Sequence, residues 1–452
     1  DKVDRNEAKR PRYLALLGGP EFISWDFQQM LAGEAFVGRI AFDRPADYEA
    51  YVEKARRCAY ACQISKANAL FHTVYDKTMA TTEADKYLMQ PLIAMARKSR
   101  GTGTFHAENI LTTALNSSNE KLELSAATDS LLHKARLPAS MLFSVSHGSG
   151  VPAKGWKSKA DQKALQGAMV LGNGHLLSAD DVRDKPFLPL GVWFFFACFG
   201  AGTPSRSAYL PWIRKLALLG EATAPIKALL HGLPHRGQPP FVAALPRAAL
   251  ANPEGPLAIV GHVDLAWSWS YIDYLAENTT SAGRSRAERF QGLIRTLVHG
   301  HRFGVAHAEL MRAFRWVTAE ITASYDEEVQ AQRLTWKSTN AIDEQVRRAN
   351  LWMHRQDSAA YVLLGDPAAR LPIAKHPRGI RFFAPRSGNV TNHSAELERR
   401  TQNVMAILNR TTTIENVAAR LHISPMEVKS WVEVFCEAGR QALGEDINQN
   451  SE

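Results

Sequence analysis

The residues best able to do chemistry are one histidine and one cysteine, each followed by glycines. His147 stands in SVSHGSG and Cys198 in FFFACFGAG. Each closes a short apolar run, MLFSV before the histidine and VWFFFA before the cysteine. Runs this short, and this rich in aromatic or β-branched residues, read as buried strands. A thiol becomes a nucleophile when a base stands near it and the backbone admits a substrate carbonyl. Gly148, Gly150, Gly200 and Gly202 remove side chains where a substrate backbone must pass. The chemistry implied is acyl transfer through a thiolate. The plainer reading of the pair is a core thiol and a capping imidazole.

The elements that must position this pair alternate between short apolar strands and helices, the pattern of an α/β fold with a largely parallel sheet. Strands are expected at RYLALLGGP (12–20), FVGRIAFD (36–43), MLFSV, GVWFFFACFGAGTP (191–204), PLAIVGH (256–262) and YVLLGDP (361–367). GAMVLGNGHLLSADDV (167–182) reads as a hairpin leading into a helix at Ser178. Helical periodicity is assigned to 46–76, 117–136 in part, 209–222 and 284–356. Segments 151–168 and 223–256 are read as loops, the second for its Pro and Gly. In parallel sheets reactive groups sit beyond the carboxyl ends of strands. Four such ends carry Gly-rich or polar punctuation: LLGGP, SHGSG, ACFGAG and VGHVD.

The histidine precedes the cysteine by 51 residues, near the roughly 50-residue separation of caspases, and FACFG is similar to their Q-A-C-x-G pattern. With VGRIAFD, GHVDLAWSWSY and LLGDPAARL, the motifs over residues 12–371 resemble the caspase-like cysteine peptidases, closest to the gingipain-like (C25-like) and CHAT branches. The resemblance implies an α/β/α sandwich and a Cys-His dyad endopeptidase without cofactor. Cys198 would be the nucleophile and His147 the base and acid. The N–H groups of Gly148 and Cys198 would form the oxyanion hole. The family requires no third, orienting carboxylate, and none is nominated. Phe196 stands where the family often lines its S1 pocket. Trp267 and Trp269 are candidate pocket walls, and Asp264 a candidate pocket acid. Phe196 in place of Gln or Asp speaks against cleavage after Asp or Arg and fits an apolar or small P1 residue.

Other signals are weaker. His262 in GHVD is a rival base, disfavoured by the family order of strands. His262 with Asp264 gives two metal donors and no third, so no metal is assigned. GVPAKGWKS misses the P-loop pattern by one residue, Trp156. His299, His301 and His307 are expected to be solvated or to pack. Cys58, Cys62 and Cys436 are read as packing thiols.

Residues 372–395 form a Pro/Gly/Ser-rich linker, separating a 1–371 peptidase domain from a helical module, 396–452. TIENVAARLHISPMEVKSWVEVF has helix-turn-helix spacing, with Leu421, Ile423, Val428 and Trp431 as its core or docking surface. Charge argues against DNA as its partner. The 452 residues carry +9, but 391–452 hold six Lys/Arg against nine Asp/Glu, leaving +12 for the remainder. Phosphate binding needs the opposite sign. An adaptor or recruiter protein is the expected partner.

The composition, 45% hydrophobic and 22% charged with four cysteines, excludes global disorder and a disulfide scaffold. No apolar run spans a bilayer, and the expected compartment is the cytoplasm. The expected role is cleavage of one specific protein in regulation, and the resemblance to the caspase-like family implies signalling or bacterial antiviral defence, with a regulatory or pore-forming protein as substrate. The alternative is an inactive caspase-like regulator binding nucleic acid or a protein through 396–452.

Overall fold

The computed structural model describes residues 11–61, 64–116, 131–152, 155–172, 175–211, 214, 233–234, 237–273, 284–333, 341–373, 403–404, 407 and 412–433, with main chain only at 115, 116, 172, 327, 328, 330–333 and 341–346. The chain divides into two compact units, Asp1–Gly379 and Ile380–Glu452.

The first unit is built on an eight-stranded sheet. We number its strands β1 (Tyr13–Leu17), β2 (Phe36–Ile40), β3 (Ala67–Tyr75), β4 (Ala107–Asn116), β5 (Ser140–Val145), β6 (Val192–Phe196), β7 (Ala258–His262) and β8 (Tyr361–Gly365). Their order across the sheet is β1-β2-β8-β7-β6-β5-β3-β4. From β7 to β4 every neighbouring pair is parallel. β8 runs antiparallel to β7, and β1 and β2 run with β8. The carboxyl ends of β3, β5, β6 and β7 therefore share one edge. The LLGGP turn after β1 lies at the opposite edge, so only three of the four punctuated ends converge.

The principal helices are α1 (Pro45–Tyr60), α2 (Gln90–Gly101), α3 (Ala244–Ala251), α4 (Glu288–Val298), α5 (Phe303–Arg333) and α6 (Ala341–Ala359). Two apolar clusters, built from alternate side chains of the central strands, cover the two sheet faces. One joins Phe71, Phe143, Phe194 and Tyr361 to Phe290, Leu293 and Leu297 of α4 and to Leu92 of α2. The other joins Leu70, Leu142, Trp193 and Ile259 to Leu245, Ala248 and Ala249 of α3. Helices on both faces make the α/β/α sandwich, and strands buried on both sides explain the continuous apolar runs.

The rings of β5 and β6 lock the two strands in register. Phe143 stacks on Phe194 with centroids 4.4 Å apart, and Phe290 meets both edge-on. Each such pair contributes about 0.5–1.5 kcal/mol beyond its burial. The buried indole of Trp193 donates to Ser144 Oγ at 2.8 Å, so the apolar layer holds no unpaired indole there.

Two segments differ from the expectation. The helix expected over 46–76 stops at Tyr60, and ANALFHTVY becomes β3. Residues 68–74 are buried or nearly so in succession, and a strand covered on both faces shows no alternation to mark it. The loop expected over 223–256 contains α3, whose seven buried residues include Pro246 in the first turn, where proline costs no hydrogen bond. The helices expected over 284–356 are three, α4 to α6. Residues 159–165 form a short helix inside the expected loop. The hairpin over 169–177 and the capping box at Ser178 agree with the sequence. Most of the expected helices at 117–136 and 209–222, Cys62, Cys436 and the 374–395 part of the linker lie outside the described residues.

In the second unit, α7 (Ile414–Leu421) begins at Thr413, whose hydroxyl accepts the Asn416 N–H. It ends at His422 in the left-handed region, φ +54. Ser424 then caps a second helical segment, accepting the Glu427 N–H at 3.1 Å. Val417, Ala418 and Val428 are buried between the segments, with Leu421, Ile423 and Trp431 packed against them. The four residues selected from the sequence are thus core contacts within the unit.

Candidate active site

His147 and Cys198 stand at matching heights on neighbouring strands. Val145 of β5 pairs in register with Phe196 of β6, and each candidate lies two residues beyond. The Ser146 N–H still reaches Phe196 O at 3.2 Å. Past that point Gly148 lies directly on the backbone of Cys198: a Cβ there would fall 1.8 Å from Cys198 O. Gly148 is therefore required for the two turns to touch. At Gly202 a Cβ would fall 2.5 Å from Phe241 O. The expected task of these glycines is to admit a substrate. At both positions the structure shows close packing of protein backbone instead.

The backbone around the cysteine is strained. Phe199, immediately after it, has φ +57, and Asp264, in the loop after β7, has φ +86. Both are non-glycine residues in the left-handed region, which costs about 1–3 kcal/mol each and persists only where the surroundings enforce it. Here the two enforce each other, since the Phe199 N–H donates to Asp264 O at 2.7 Å.

The Cys198 sulfur is held by the same loop. It accepts the Ala266 N–H at 3.3 Å and lies 3.7 Å from Ala266 O. Desolvation pushes the thiol up to about 11, with the Ala266 N–H pulling the other way and the charges of Asp264 and Asp357 adding to the rise. The Gly148 and Cys198 N–H groups donate to no other backbone carbonyl among the described residues.

The histidine has a partner that sequence reasoning missed. His147 Nε2 lies 3.3 Å from Asp76 Oδ2 and 2.8 Å from Thr78 Oγ1. Asp76 follows β3, the strand next to β5 on the side away from β6. The chain leaves β3 toward β4 and leaves β5 toward β6, so this gap is the topological switch point of the sheet, where α/β folds open a crevice. Asp76 is itself fixed: its Oδ1 accepts the Thr78 N–H and the hydroxyls of Thr78 and Thr81. Desolvation raises its carboxyl, but these hydrogen bonds and the nearby His147 outweigh that and hold it below its ordinary value. With Nε2 turned to Asp76, His147 presents Nδ1 on its other side, without a hydrogen-bond partner among the described residues. An acid directly after an aromatic, β-branched run, in TVYDKT, is the signal that could have found it. That signal is lost when β3 is read as helix.

The remaining candidates separate. Trp267 is half-buried and packs with Cys198 against Tyr209 and Leu265, its ring 5.8 Å from that of Tyr209. Trp269 is one ring further out, 5.6 Å from Trp267. Its Nε1 donates to Asn350 Oδ1 at 3.2 Å, and it lines a cavity of about 170 Å³ with Trp316 and Arg289. Phe196 is not brought to the site. Its ring is 6% exposed and packs edge-on to Tyr271 in the core. Asp264 is beside the site but already engaged: Oδ2 accepts the Ala208 N–H and Oδ1 the Leu265 N–H, each at 2.8 Å. Burial pushes its carboxyl up to about 6, against the hydrogen bond from Ser207.

His262 is fully buried, with Nε2 3.0 Å from the carbonyl and 3.1 Å from the carboxylate of Asp357, so it faces α6 and not the thiol. His299 and His307 are buried with Nε2 against the carbonyls of Thr104 and Tyr361. Among the described residues no three His, Cys, Asp or Glu side chains gather as a metal site, and no helix is long and apolar enough to cross a membrane.

No protein-family model and no curated protein matches the chain. Two solved structures are similar over most of its length. One is described as the structure of a protease, at 12% identity and a TM-score of 0.41 over 80% of this chain. The other is the Arg-specific cysteine proteinase gingipain R, at 12% identity and a TM-score of 0.38 over 79%. The chain spans 64% of the length of each. The chemistry of the site therefore rests on its own residues.

Proposed function

We propose that the chain is a cysteine endopeptidase in which Cys198, His147 and Asp76 act from the carboxyl ends of three adjacent parallel strands. The observation that supports it is the order of contacts. An anchored carboxylate engages one nitrogen of an imidazole whose other nitrogen is open, and a cysteine occupies the same height on the next strand. This is the arrangement in which a third group orients a base that serves a nucleophile.

In the proposed reaction, Cys198 Sγ attacks the peptide carbonyl while its proton passes to His147 Nδ1. The N–H groups of Gly148 and Cys198 receive the oxyanion. The carbon–nitrogen bond then breaks, and His147 returns the proton to the leaving amine. Water, deprotonated by His147, hydrolyses the thioester and restores the thiol. A thiol at about 11 fits proton transfer during attack rather than a preformed ion pair. Asp76 keeps the imidazole oriented and stabilises its charged form.

Trp267 is the proposed wall for the P1 side chain. Asp264 is committed to backbone N–H groups, which favours an uncharged P1 residue, apolar or small. We assign the substrate to a specific protein partner, with residues 396–452 as recruiter. The net −3 of residues 391–452 supports a protein rather than DNA as what that segment binds. The test is cleavage of a peptide library by the full chain and by Cys198→Ala. Cleavage by the first, with uncharged residues at P1, and none by the second is expected. Equal activity in both would end the proposal.

A further inference from the structure

We infer that Asp357 is a positioning residue that holds the Trp267 wall against Cys198; the inference rests on the peptidase reading above. Asp357 lies near the end of α6 and is 0% exposed. A carboxylate removed from water this completely must find donors for both oxygens. Two of the donors it finds come from the loop after β7, and a third, His262, closes β7 itself. Oδ1 accepts the Trp267 N–H at 2.8 Å and lies 3.1 Å from His262 Nε2, while Oδ2 accepts the Ser270 N–H at 2.8 Å. Its own carbonyl takes His262 Nε2 at 3.0 Å. One side chain thus ties the strand end, the wall residue and the far end of the wall loop to one helix.

The tie continues to the nucleophile. Between Asp264, whose carbonyl accepts the Phe199 N–H, and Trp267, whose N–H goes to Asp357, lies Ala266, whose N–H meets Cys198 Sγ. The loop is therefore fixed at one end to the residue after the cysteine and at the other to α6. Tyr361 adds a second brace, its hydroxyl 2.9 Å from Ser270 Oγ. A buried acid is an expensive way to hold a loop that carries only packing residues. It makes sense when the loop must keep an aromatic wall in place while a substrate side chain presses on it, since positional errors of about 1 Å can cost about 10²-fold in rate.

The test uses the full chain with three readouts. The first is hydrogen exchange over 263–271. In Asp357→Asn one acceptor oxygen becomes an amide that cannot accept, and whichever of the Trp267 and Ser270 amides loses its acceptor is expected to exchange at least about tenfold faster, with β7 unchanged. The second is alkylation of Cys198 by a peptidyl chloromethyl ketone with P1 Phe, relative to alkylation by iodoacetamide, which needs no pocket. This ratio is expected to fall about tenfold. The third is a double-mutant cycle: Trp267→Ala lowers the same ratio, and adding Asp357→Asn lowers it no further, because both act through one wall. A merely structural role for Asp357 would lower both alkylation rates together and add to Trp267→Ala. Should Asp357→Asn aggregate, Asp357→Ser, which leaves room for water at both amides, is read in the same assays. Unchanged exchange, or an unchanged ratio with wild type labelled, overturns the inference. A wild type that the ketone never labels counts against the peptidase reading instead, and the exchange readout still decides whether Asp357 holds the loop.

Discussion

The ends of β5, β6 and β3 lie side by side along one edge of the sheet, yet they are written in the sequence in different ways. His147 and Cys198 follow short, mainly apolar runs, MLFSVS and VWFFFA, and are set off by glycines. Asp76 follows a run that mixes Ala, His, Thr and Tyr, and its neighbours are hydroxyl residues. The first kind of end brings backbones together, as the 1.8 Å Cβ approach at Gly148 shows. The second builds a small hydrogen-bonded turn around a charge, in which Thr78 and Thr81 serve Asp76 and Thr78 also reaches His147. In the proposed peptidase the two ends would divide the tasks: close packing would set the distance between nucleophile and base, and the polar turn would set the orientation of the base.

Substitutions at the two kinds of end should separate these tasks. His147→Ala removes the proposed base itself, and turnover of a library-derived peptide is expected to fall by about 10²–10⁴. Gly148→Ala forces the Cys198 carbonyl to move, and a loss of about 10²-fold is expected with folding retained, read as kcat against a normal thermal transition. Asp76→Asn leaves Thr78 on Nε2 and keeps the size of the side chain. It is expected to cost about 10–10² in kcat with KM unchanged, less than the loss of a sole orienting acid. A loss at Asp76 equal to that at His147 would make the carboxylate more than an orienter. No loss would make the β3 turn merely structural.

The smallest effect concerns the thiol. Because burial raises it to about 11, the thiolate fraction falls tenfold for each pH unit below that value. Iodoacetamide alkylation of Cys198 should therefore climb about tenfold per unit from pH 8 to 10 without levelling. A plateau between pH 6 and 9 would reveal a resting ion pair with His147 and move that proton transfer ahead of substrate binding.

How much of this is legible in the sequence follows the same contrast. The sheet's centre and the His–Cys adjacency can be read because a short, mainly apolar run with glycine close behind it is seldom anything but a buried strand entering a turn. β3 cannot be told from helix: its burial on both faces erases the period of two, and it follows a true helix, α1, rich in Ala, Lys and Arg. With β3 goes Asp76. α3 is hidden by Pro246 and by burial on all sides, which leaves no polar stripe. The reversal of β1, β2 and β8 is a fact of topology that no local pattern encodes, so the LLGGP turn groups by composition with ends it never meets. Phe196 belongs to the pocket only by analogy of position, whereas the alternation of β6 turns its ring into the core beside Phe194.

Cys58 supplies an internal control for the central claim. It sits half-buried on α1, 3.5 Å from Arg370 O, and burial pushes it, like Cys198, up to about 11. Burial therefore acts on both thiols in the same direction, and the geometry around Cys198 is what sets it apart. The direct measurement is peptide mapping by mass spectrometry after brief reaction of the full chain with peptidyl acyloxymethyl ketones bearing uncharged P1 residues. The account predicts a single adduct on Cys198, strongly reduced in His147→Ala, with Cys58 unmodified. Labelling of Cys58 as fast as Cys198, or labelling of Cys198 that ignores His147, would contradict it.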